Sequence, residues 1–228
     1  MLAILGLLCC QQAPSAPVRA QAEIRYLADQ RELRGDLILS PGDSLSGHDF
    51  FSLQNGSVAF LGSNMTARIV PGGMRWRTEM QVDFPNELRF TFPRNPDQKS
   101  VLEDRLTLAL SFSPPFPDSL PSIWNTSEVQ RFEIGSAALG AHESIVVFFE
   151  PLSGGSGSVS RITISGPTAS SQVVLPTVAQ SELKAGDYEV YLVKQQIARD
   201  TLPGLLATTE ISYHTRSRPV KIIRPTPN

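Results

Sequence analysis

The chain has 228 residues, which is long enough for one or two domains with a buried core. Lys and Arg total 20 against 22 Asp and Glu, and this net charge of −2 argues against a dedicated nucleic-acid-binding protein, which carries a strongly basic face. Hydrophobic residues make up 41% and charged residues 18%, which excludes a disordered acidic chain and a coiled coil.

The N-terminus predicts export. Residues 2–10 read LAILGLLCC, nine residues without a charge or a polar group. As a helix this stretch would extend only about 14 Å, too short to cross the hydrocarbon core of a membrane. It has the length of the apolar region of a signal peptide, although no Lys or Arg precedes Arg19 to form the usual basic region.

Two processing sites fit this leader, and both stay open on the sequence alone. Leu7-Leu8-Cys9-Cys10 resembles the lipobox of bacterial lipoproteins, which implies that Cys10 is lipidated, although Cys9 stands where Gly, Ala or Ser is usual. Alternatively, Ala20-Gln21-Ala22 is an Ala-x-Ala cleavage site that leaves Glu23 as the mature N-terminus. We therefore predict a signal or lipoprotein segment and tether over residues 1–22.

Residues 23–112 are predicted to form an N-terminal β domain. The clearest strand is 76–84, where apolar and charged residues alternate with the period of a half-buried strand. A second alternating run, 88–92, follows Pro85-Asn86 as its hairpin partner. Residues 100–112 predict one helical turn followed by a strand, because a capping pattern precedes alternating Leu residues. Shorter apolar runs are 36–39, 57–61 and 67–70.

A proline-rich linker is predicted between the two halves. Residues 113–121 read SPPFPDSLP, and four prolines in nine residues disfavour both a helix and a central strand. From residue 122 to 228, seven short apolar runs alternate with Gly, Pro and Ser, which predicts a β-sandwich. These runs are 129–134, 145–150, 159–164, 173–175, 187–194, 210–213 and 220–223.

One segment of the C-terminal half resembles a known class of module. Residues 183–193, LKAGDYEVYLV, are similar to the penultimate strand of immunoglobulin-like and fibronectin-like domains. This resemblance implies an immunoglobulin-like sandwich with Tyr188 at its corner. The Cys pair and core Trp of antibody domains are absent, and no function follows from the fold alone. The predicted fold class is therefore all-β, with two β modules of which the C-terminal one is an Ig-like sandwich.

The search for catalytic and metal-binding motifs predicts no such site. Gly42-Asp43-Ser44-Leu45 matches the nucleophile block of GDSL hydrolases, but none of the three His residues follows an acid at the spacing that family requires. His48 and Asp49 could join Asp43 in a metal or acid–base group, but no second His lies nearby. The two Cys are adjacent and offer no zinc site or disulfide framework. No cofactor is predicted.

The sequence as a whole predicts a non-catalytic binding or structural protein. The basic end, residues 214–224, is interpreted as an edge strand protected by Arg and Lys rather than as a nucleic-acid site. We expect an envelope lipoprotein attached to the membrane only through Cys10 and presenting sandwich loops to a protein or glycan, and no nucleic acid. The alternatives are an intracellular interaction module whose apolar N-terminus is buried, and a hydrolase whose carboxylates meet only in space.

Overall fold

The computed structural model describes residues 18–41, 58–70, 73–93, 105–115, 120–152 and 158–224. Within these ranges every regular element is a strand except one 3₁₀ helix, Thr177–Gln180, and no helix is long and apolar enough to cross a membrane. The predicted all-β class is therefore confirmed. The strands are β1 (Val18–Leu27), β2 (Glu32–Pro41), β3 (Ala59–Phe60), β4 (Ser63–Asn64), β5 (Thr66–Val70), β6 (Gly73–Gln81), β7 (Leu88–Pro93), β8 (Arg105–Leu110), β9 (Ile123–Asn125), β10 (Gln130–Glu133), β11 (Glu143–Pro151), β12 (Ser160–Ser165), β13 (Gln172–Leu175), β14 (Gly186–Leu202), β15 (Leu205–His214) and β16 (Arg218–Ile223).

Two hydrophobic cores lie on the same side of one long sheet. In the N-terminal half, the sheet order β14-β15-β1-β2-β6-β5 faces a smaller sheet, β4-β3-β7-β8. The first core lies between them and contains the buried side chains of Trp76, Phe60 and Phe90. Gly35 of β2 is required there, because a Cβ atom at this position would lie 2.8 Å from the Phe60 ring. This half is a sandwich of two unequal sheets.

The C-terminal half is also a sandwich. Strands β12, β11, β14, β16 and β9 form its larger sheet, and the antiparallel pair β10-β13 covers them. Trp124, Phe149 and Tyr188 are buried in this second core, so Tyr188 lies inside the sandwich at the start of β14, in the segment that carries the family resemblance. The predicted basic edge strand, β16, is not an edge, because it pairs with β14 on one side and β9 on the other.

Strand β14 joins the two halves into one sheet. Its first part pairs with β11 and β16, and its second part, from Val193 to Leu202, pairs with β15. Strand β15 then runs parallel to β1, from Leu205 beside Val18 to His214 beside Leu27. The sheet therefore does not divide at residues 113–121, where a linker was predicted, and β15 packs in the N-terminal core although it follows that linker in sequence.

Residues 18–22, which the sequence placed in the leader and tether, lie in β1. Val18, Ala20 and Ala22 are buried in the first core, and the strand is hydrogen-bonded to β15 and to β2 along its whole length. The alternation that produces this strand continues through Ile24 and Tyr26. Because Ala is a weak strand signal, the pattern is easily taken for a signal-peptide cleavage site.

Lys194 lies where the two cores meet. Its Nζ donates to the Ser113 carbonyl oxygen at 3.1 Å and lies 3.0 Å from a Glu143 carboxylate oxygen. The same ammonium group lies 5.1 Å from the centre of the Phe112 ring. The Lys194 side chain is only 7% exposed. Lys194 therefore holds the segment at Phe112 and Ser113, which connects the two halves, against β14, the strand that runs through both halves.

A buried glutamine organises one side of the C-terminal core. Gln180 is fully buried, and its Oε1 accepts a hydrogen bond from Trp124 Nε1 at 2.6 Å. Its Nε2 donates to the carbonyl oxygens of Glu128 and Leu175, both at 3.0 Å. A buried polar side chain satisfied in this way stabilises the fold, whereas removing one partner leaves the others without hydrogen bonds.

Replacing Gln180 with Leu is therefore expected to lower the free energy of unfolding by about 2 kcal/mol, because the Trp124 N–H and two carbonyl groups lose their partner. Chemical denaturation followed by tryptophan fluorescence measures this effect. Gln172→Leu on the exposed position of β13 is the matched control and should change stability by less than about 0.5 kcal/mol. Equal stability of the two variants would contradict the role given to Gln180.

Candidate binding surface on the open sheet face

The side of the long sheet that faces away from the cores is broad and polar. Side chains alternate along each strand, so the strands that bury one set of residues present the other set outward. Strand pairing arranges the outward residues of the N-terminal half in four rows across the sheet. In order from β14 towards β5, the rows are Gln195-Ser212-Arg25-Arg34-Glu79, Ile197-Glu210-Glu23-Asp36-Arg77-Thr66, Arg199-Thr208-Gln21-Ile38-Arg75-Arg68 and Thr201-Leu206-Arg19-Ser40. We call these four rows the outer face.

A buried carboxylate with three arginines lies at the centre of the outer face. Asp36 is 3% exposed although it points away from the core. Its two carboxylate oxygens accept hydrogen bonds from Nε of Arg34 at 2.8 Å, of Arg75 at 2.8 Å and of Arg77 at 2.7 Å. The arginine side chains cover it while remaining between 27% and 33% exposed. We call Asp36 and these three residues the Asp36 cluster.

The arginines keep this carboxylate ionised. Burial raises the pKa of Asp36, but the hydrogen bonds from Arg77, Arg75 and Arg34 together outweigh burial and hold it below the ordinary value of 3.8. The cluster therefore carries three positive charges against one negative charge at neutral pH. An ionised carboxylate held this way cannot donate a proton near neutral pH, so Asp36 is unsuited to general-acid catalysis.

Two further carboxylates continue the same row. Glu23 of β1 is paired in register with Glu210 of β15 on one side and with Asp36 on the other. Arg75 Nη2 lies 3.5 Å from a Glu23 oxygen, and the Glu23 side chain is 56% exposed. These side chains line an open depression together with Ile197 and Arg199. The depression offers both hydrogen-bond donors and carboxylate oxygens to a ligand.

His214 does not add to the positive charge of this face. It ends β15 beside the first row, and burial, followed by the nearby Arg25 charge, lowers its pKa from 6.5 to about 4. The imidazole is therefore neutral at pH 7.

Beyond His214, on the C-terminal half, the Phe148 and Tyr191 rings stack with centres 5.0 Å apart, and Tyr191 donates a hydrogen bond to Glu150 at 2.9 Å.

A second concavity lies at the junction of the two halves. Tyr26, Phe84 and Tyr213 form an aromatic group with ring centres between 5.0 and 5.2 Å apart. Arg31, Arg216 and the β15–β16 connection border this cleft. The three aromatic rings pack against one another, and Arg31 is already paired with Asp83 at 2.9 Å. We therefore regard the outer face as the stronger candidate for a binding site.

Most of the predicted site residues lie outside the part of the chain that the structure describes. Cys10, the predicted lipidation site, lies outside the described residues, as do Asp43, Ser44, His48 and Asp49. Within the described ranges, no group of three or more His, Cys, Asp or Glu side chains is placed to hold a metal ion. The Asp36 cluster was missed because its members come from strands 39 to 43 residues apart. A signal existed in the single Asp within the apolar run 36–39.

The pairing of Asp36 predicts a pH dependence of stability. The folded-state pKa is lower than the unfolded one, so the contribution of Asp36 is complete above about pH 5 and is lost as pH falls from about 4 through the lowered pKa. Asp36→Asn should therefore lower the free energy of unfolding by about 2 kcal/mol at pH 7. This loss is smaller than for a fully buried ion pair, because solvent screens the partly exposed arginines. The difference from the unaltered protein should shrink below pH 4.

Urea denaturation of both proteins between pH 2.5 and 7 measures this difference. Asp83→Asn is the matched control, because Asp83 also pairs with one arginine but its side chain is 83% exposed. That substitution should change stability by less than about 1 kcal/mol at every pH. A difference between Asp36→Asn and the unaltered protein that stayed constant down to pH 2.5 would refute the ion-pair explanation.

Comparisons with known proteins identify no family. No protein-family pattern matches the sequence, and no curated protein matches it. Among solved structures, the FN1–FN3 domains of chicken CNTN1 match with 15% sequence identity over 95% of this chain and 68% of that chain, at a TM-score of 0.24. A likeness at that score carries no argument about function. The fold class rests on the strands described above.

Proposed function

We propose that the protein is a non-catalytic binding module of the cell envelope, attached to the membrane through a lipid on Cys10 and presenting the outer face to its partner. The observation that supports this proposal is the exposed array of arginine, carboxylate, amide and hydroxyl side chains across the six strands of the outer face. Antiparallel sheets usually expose one face to solvent, and the buried Asp36 carboxylate with its three arginines makes this face the candidate functional surface.

The position of β1 supports lipidation at Cys10 over cleavage after Ala22. Cleavage after Ala22 would remove Val18, Ala20 and Ala22 from the first core and half of a strand that pairs on both sides. Modification at Cys10 leaves β1 whole, with seven residues, 11–17, between the modified cysteine and the strand. A lipid anchor also restricts the module to a membrane surface, where weak surface contacts gain from high local concentration.

A hydrolase is the competing function that the outer face itself suggests. Glu23 and Glu210 lie side by side on neighbouring strands, and glycosidases use two carboxylates. Two features favour binding instead. Asp36, the third carboxylate of the row, has a pKa that is lowered rather than raised and so cannot be the acid, and Glu23 is more than half exposed. Acid catalysis in sugar hydrolysis needs a carboxyl group whose pKa is raised.

Intact-mass measurement of the protein from membranes of its native host tests the anchor. We expect a chain that begins at Cys10 and carries a diacylglycerol group, and we expect Cys10→Ala to lose both the lipid and the membrane association. An unmodified chain in the cytosol would instead support the intracellular module. A soluble chain beginning at Glu23 would exclude the lipid anchor and leave a secreted protein.

Site-specific cross-linking tests the binding surface. A photoreactive amino acid at Gln21, in the middle of the outer face, should capture an envelope partner in the host. The same amino acid at Arg89, an exposed position of β7 in the opposite sheet, is the control. Capture from Arg89 but not from Gln21 would contradict the outer face as the binding surface.

A further inference from the structure

We propose that the Asp36 cluster is an anion-binding subsite and that its ligand is an acidic polysaccharide, a sugar polymer that carries carboxylate or sulfate groups. This inference rests on the proposed function, because it names the ligand class for the same face. The cluster supplies the charge recognition, and the neighbouring rows supply contacts to the hydroxyl groups of the sugar.

Three guanidinium groups exceed what Asp36 requires. One arginine can neutralise a carboxylate, and the structure places Arg34, Arg75 and Arg77 around this one. All three hydrogen bonds to Asp36 come from Nε atoms, so the terminal Nη groups of the forks are not used in holding it. Guanidinium forks bind carboxylate and sulfate oxygens with two parallel hydrogen bonds. Arg75 Nη2 already lies 3.5 Å from a Glu23 oxygen. Asp36 thus orients all three arginines, and the Nη ends of Arg34 and Arg77 are the ones that face a second anion.

The positive charge around the cluster is concentrated by strand register. Arg68 of β5 is opposite Arg75, and Arg25 of β1 is opposite Arg34. Like charges directly opposite each other destabilise a sheet. A bound anion would relieve this repulsion. Asp36 and Glu23 compensate part of the charge of Arg34 and Arg75, and Arg25 and Arg68 add two further positive charges beside them.

The acidic row favours a ligand with hydroxyl groups. Glu23 and Glu210 accept hydrogen bonds, and Gln21 and Thr208 in the next row both donate and accept. Sugar hydroxyls can donate to these carboxylates while the acidic substituent of the sugar contacts the cluster. A DNA strand has no sugar hydroxyl groups between its phosphates to donate to Glu23 and Glu210, so nothing offsets the repulsion between these carboxylates and its backbone.

The composition of the face disfavours a protein partner. Interfaces between proteins have an apolar centre enriched in aromatic residues and Arg, with few Asp and Glu side chains. The four rows of the outer face contain no aromatic side chain, and the apolar Ile38, Ile197 and Leu206 are separated by polar neighbours. A neutral polysaccharide is disfavoured for the same reason, because without aromatic rings for stacking its binding would depend on hydrogen bonds alone.

Equilibrium binding to defined polymers tests this inference. The probes are polygalacturonate and dextran sulfate as acidic polysaccharides, neutral dextran, poly-L-glutamate and a single-stranded DNA, each at about 50 mM salt. We expect binding to at least one acidic polysaccharide that weakens as salt rises. That polymer should bind at least tenfold more tightly than neutral dextran, poly-L-glutamate and DNA.

The substitutions are chosen so that the protein stays folded. In Arg75→Lys and Arg77→Lys an ammonium group still neutralises Asp36, but the fork that would hold the second anion is lost. Combining the two substitutions should weaken binding of the acidic polysaccharide at least tenfold, measured at a temperature at which the thermal transition of the variant shows that it is folded. Arg89→Lys on the opposite sheet should leave binding unchanged.

Each other outcome overturns the inference. If the Lys double variant binds the polysaccharide as tightly as the unaltered protein does, the arginine forks do not bind the ligand. If poly-L-glutamate or DNA binds more tightly than the acidic polysaccharide, the ligand belongs to that other class of polymer. If no polymer binds the unaltered protein, the acidic-polysaccharide ligand is refuted. Cross-linking from Gln21 in the host is independent of these polymers, so it still tests whether the outer face binds a partner.

Discussion

A chain that starts at Glu23 is expected to be less stable than a chain that starts at Val18 by about 4 kcal/mol. Residues 18–22 contribute three buried side chains, and they pair with β15 on one side and β2 on the other. Burial of one Val and two Ala side chains and the loss of several ladder hydrogen bonds account for this size. The difference is a large part of the stability of a typical domain.

Denaturant midpoints of the two shortened chains measure this difference directly. Point substitutions distinguish the contribution of the buried side chains from that of backbone pairing. Ala22→Asp would place a charge in the first core and should lower the free energy of unfolding by more than about 3 kcal/mol. Gln21→Asp, one residue away on the outer face, is the matched control and should stay within about 1 kcal/mol of the unaltered protein. Similar midpoints for the two chains would contradict the role of β1.

Much of the fold was predictable from local patterns. The alternation of 76–84 overlaps strand β6 and places Arg75 and Arg77 on its polar side, and the strand predicted within 100–112 is β8. In both cases a period of two records which side of the strand is buried. The all-β class follows because such runs are short and are separated by turn residues. The hairpin predicted between 76–84 and 88–92 is wrong, because β7 pairs with β3 and β8 in the smaller sheet.

The long-range arrangement could not be derived in this way. Strand β1 pairs with β15 nearly 190 residues later, and no local pattern names a partner strand. The sequence indicated only 187–194 as a strand, because the apolar run ends at Lys194, whereas β14 continues to Leu202 with polar residues on both faces. Those polar residues lie on an exposed part of the sheet, where hydrophobic periodicity is weak.

The candidate site escaped prediction for a related reason. A search for motifs looks for residues close in sequence, and Asp36 acquires its three arginines from two different strands. Glu23 and Glu210 illustrate the same limit, since only the parallel pairing of their strands places them side by side. Carboxylates that are distant in sequence and meet in space were one alternative that the sequence left open, but no local pattern identified which residues they are.

Replacing Lys194 with Met is expected to lower the free energy of unfolding by about 3 kcal/mol. The substitution keeps the length of the side chain but leaves Glu143, whose side chain is 17% exposed, without its cation and removes the hydrogen bond to the Ser113 carbonyl. It also removes the ammonium group beside Phe112, a smaller contribution. Because these contacts join the linker segment to β14, the loss should also increase proteolytic cleavage near residue 113.

The double variant Lys194→Met, Glu143→Gln distinguishes this explanation from a simple packing defect. Removing the carboxylate charge should restore part of the lost stability, because the buried charge without a partner is the main penalty, and the Gln side chain can still accept the hydrogen bond from the Gly140 N–H. Lys221→Met, at an exposed position of β16, is the control and should be nearly neutral. If the double variant is no more stable than Lys194→Met alone, the ion pair does not hold the junction, and the packing of the lysine stem against Phe112 accounts for the loss.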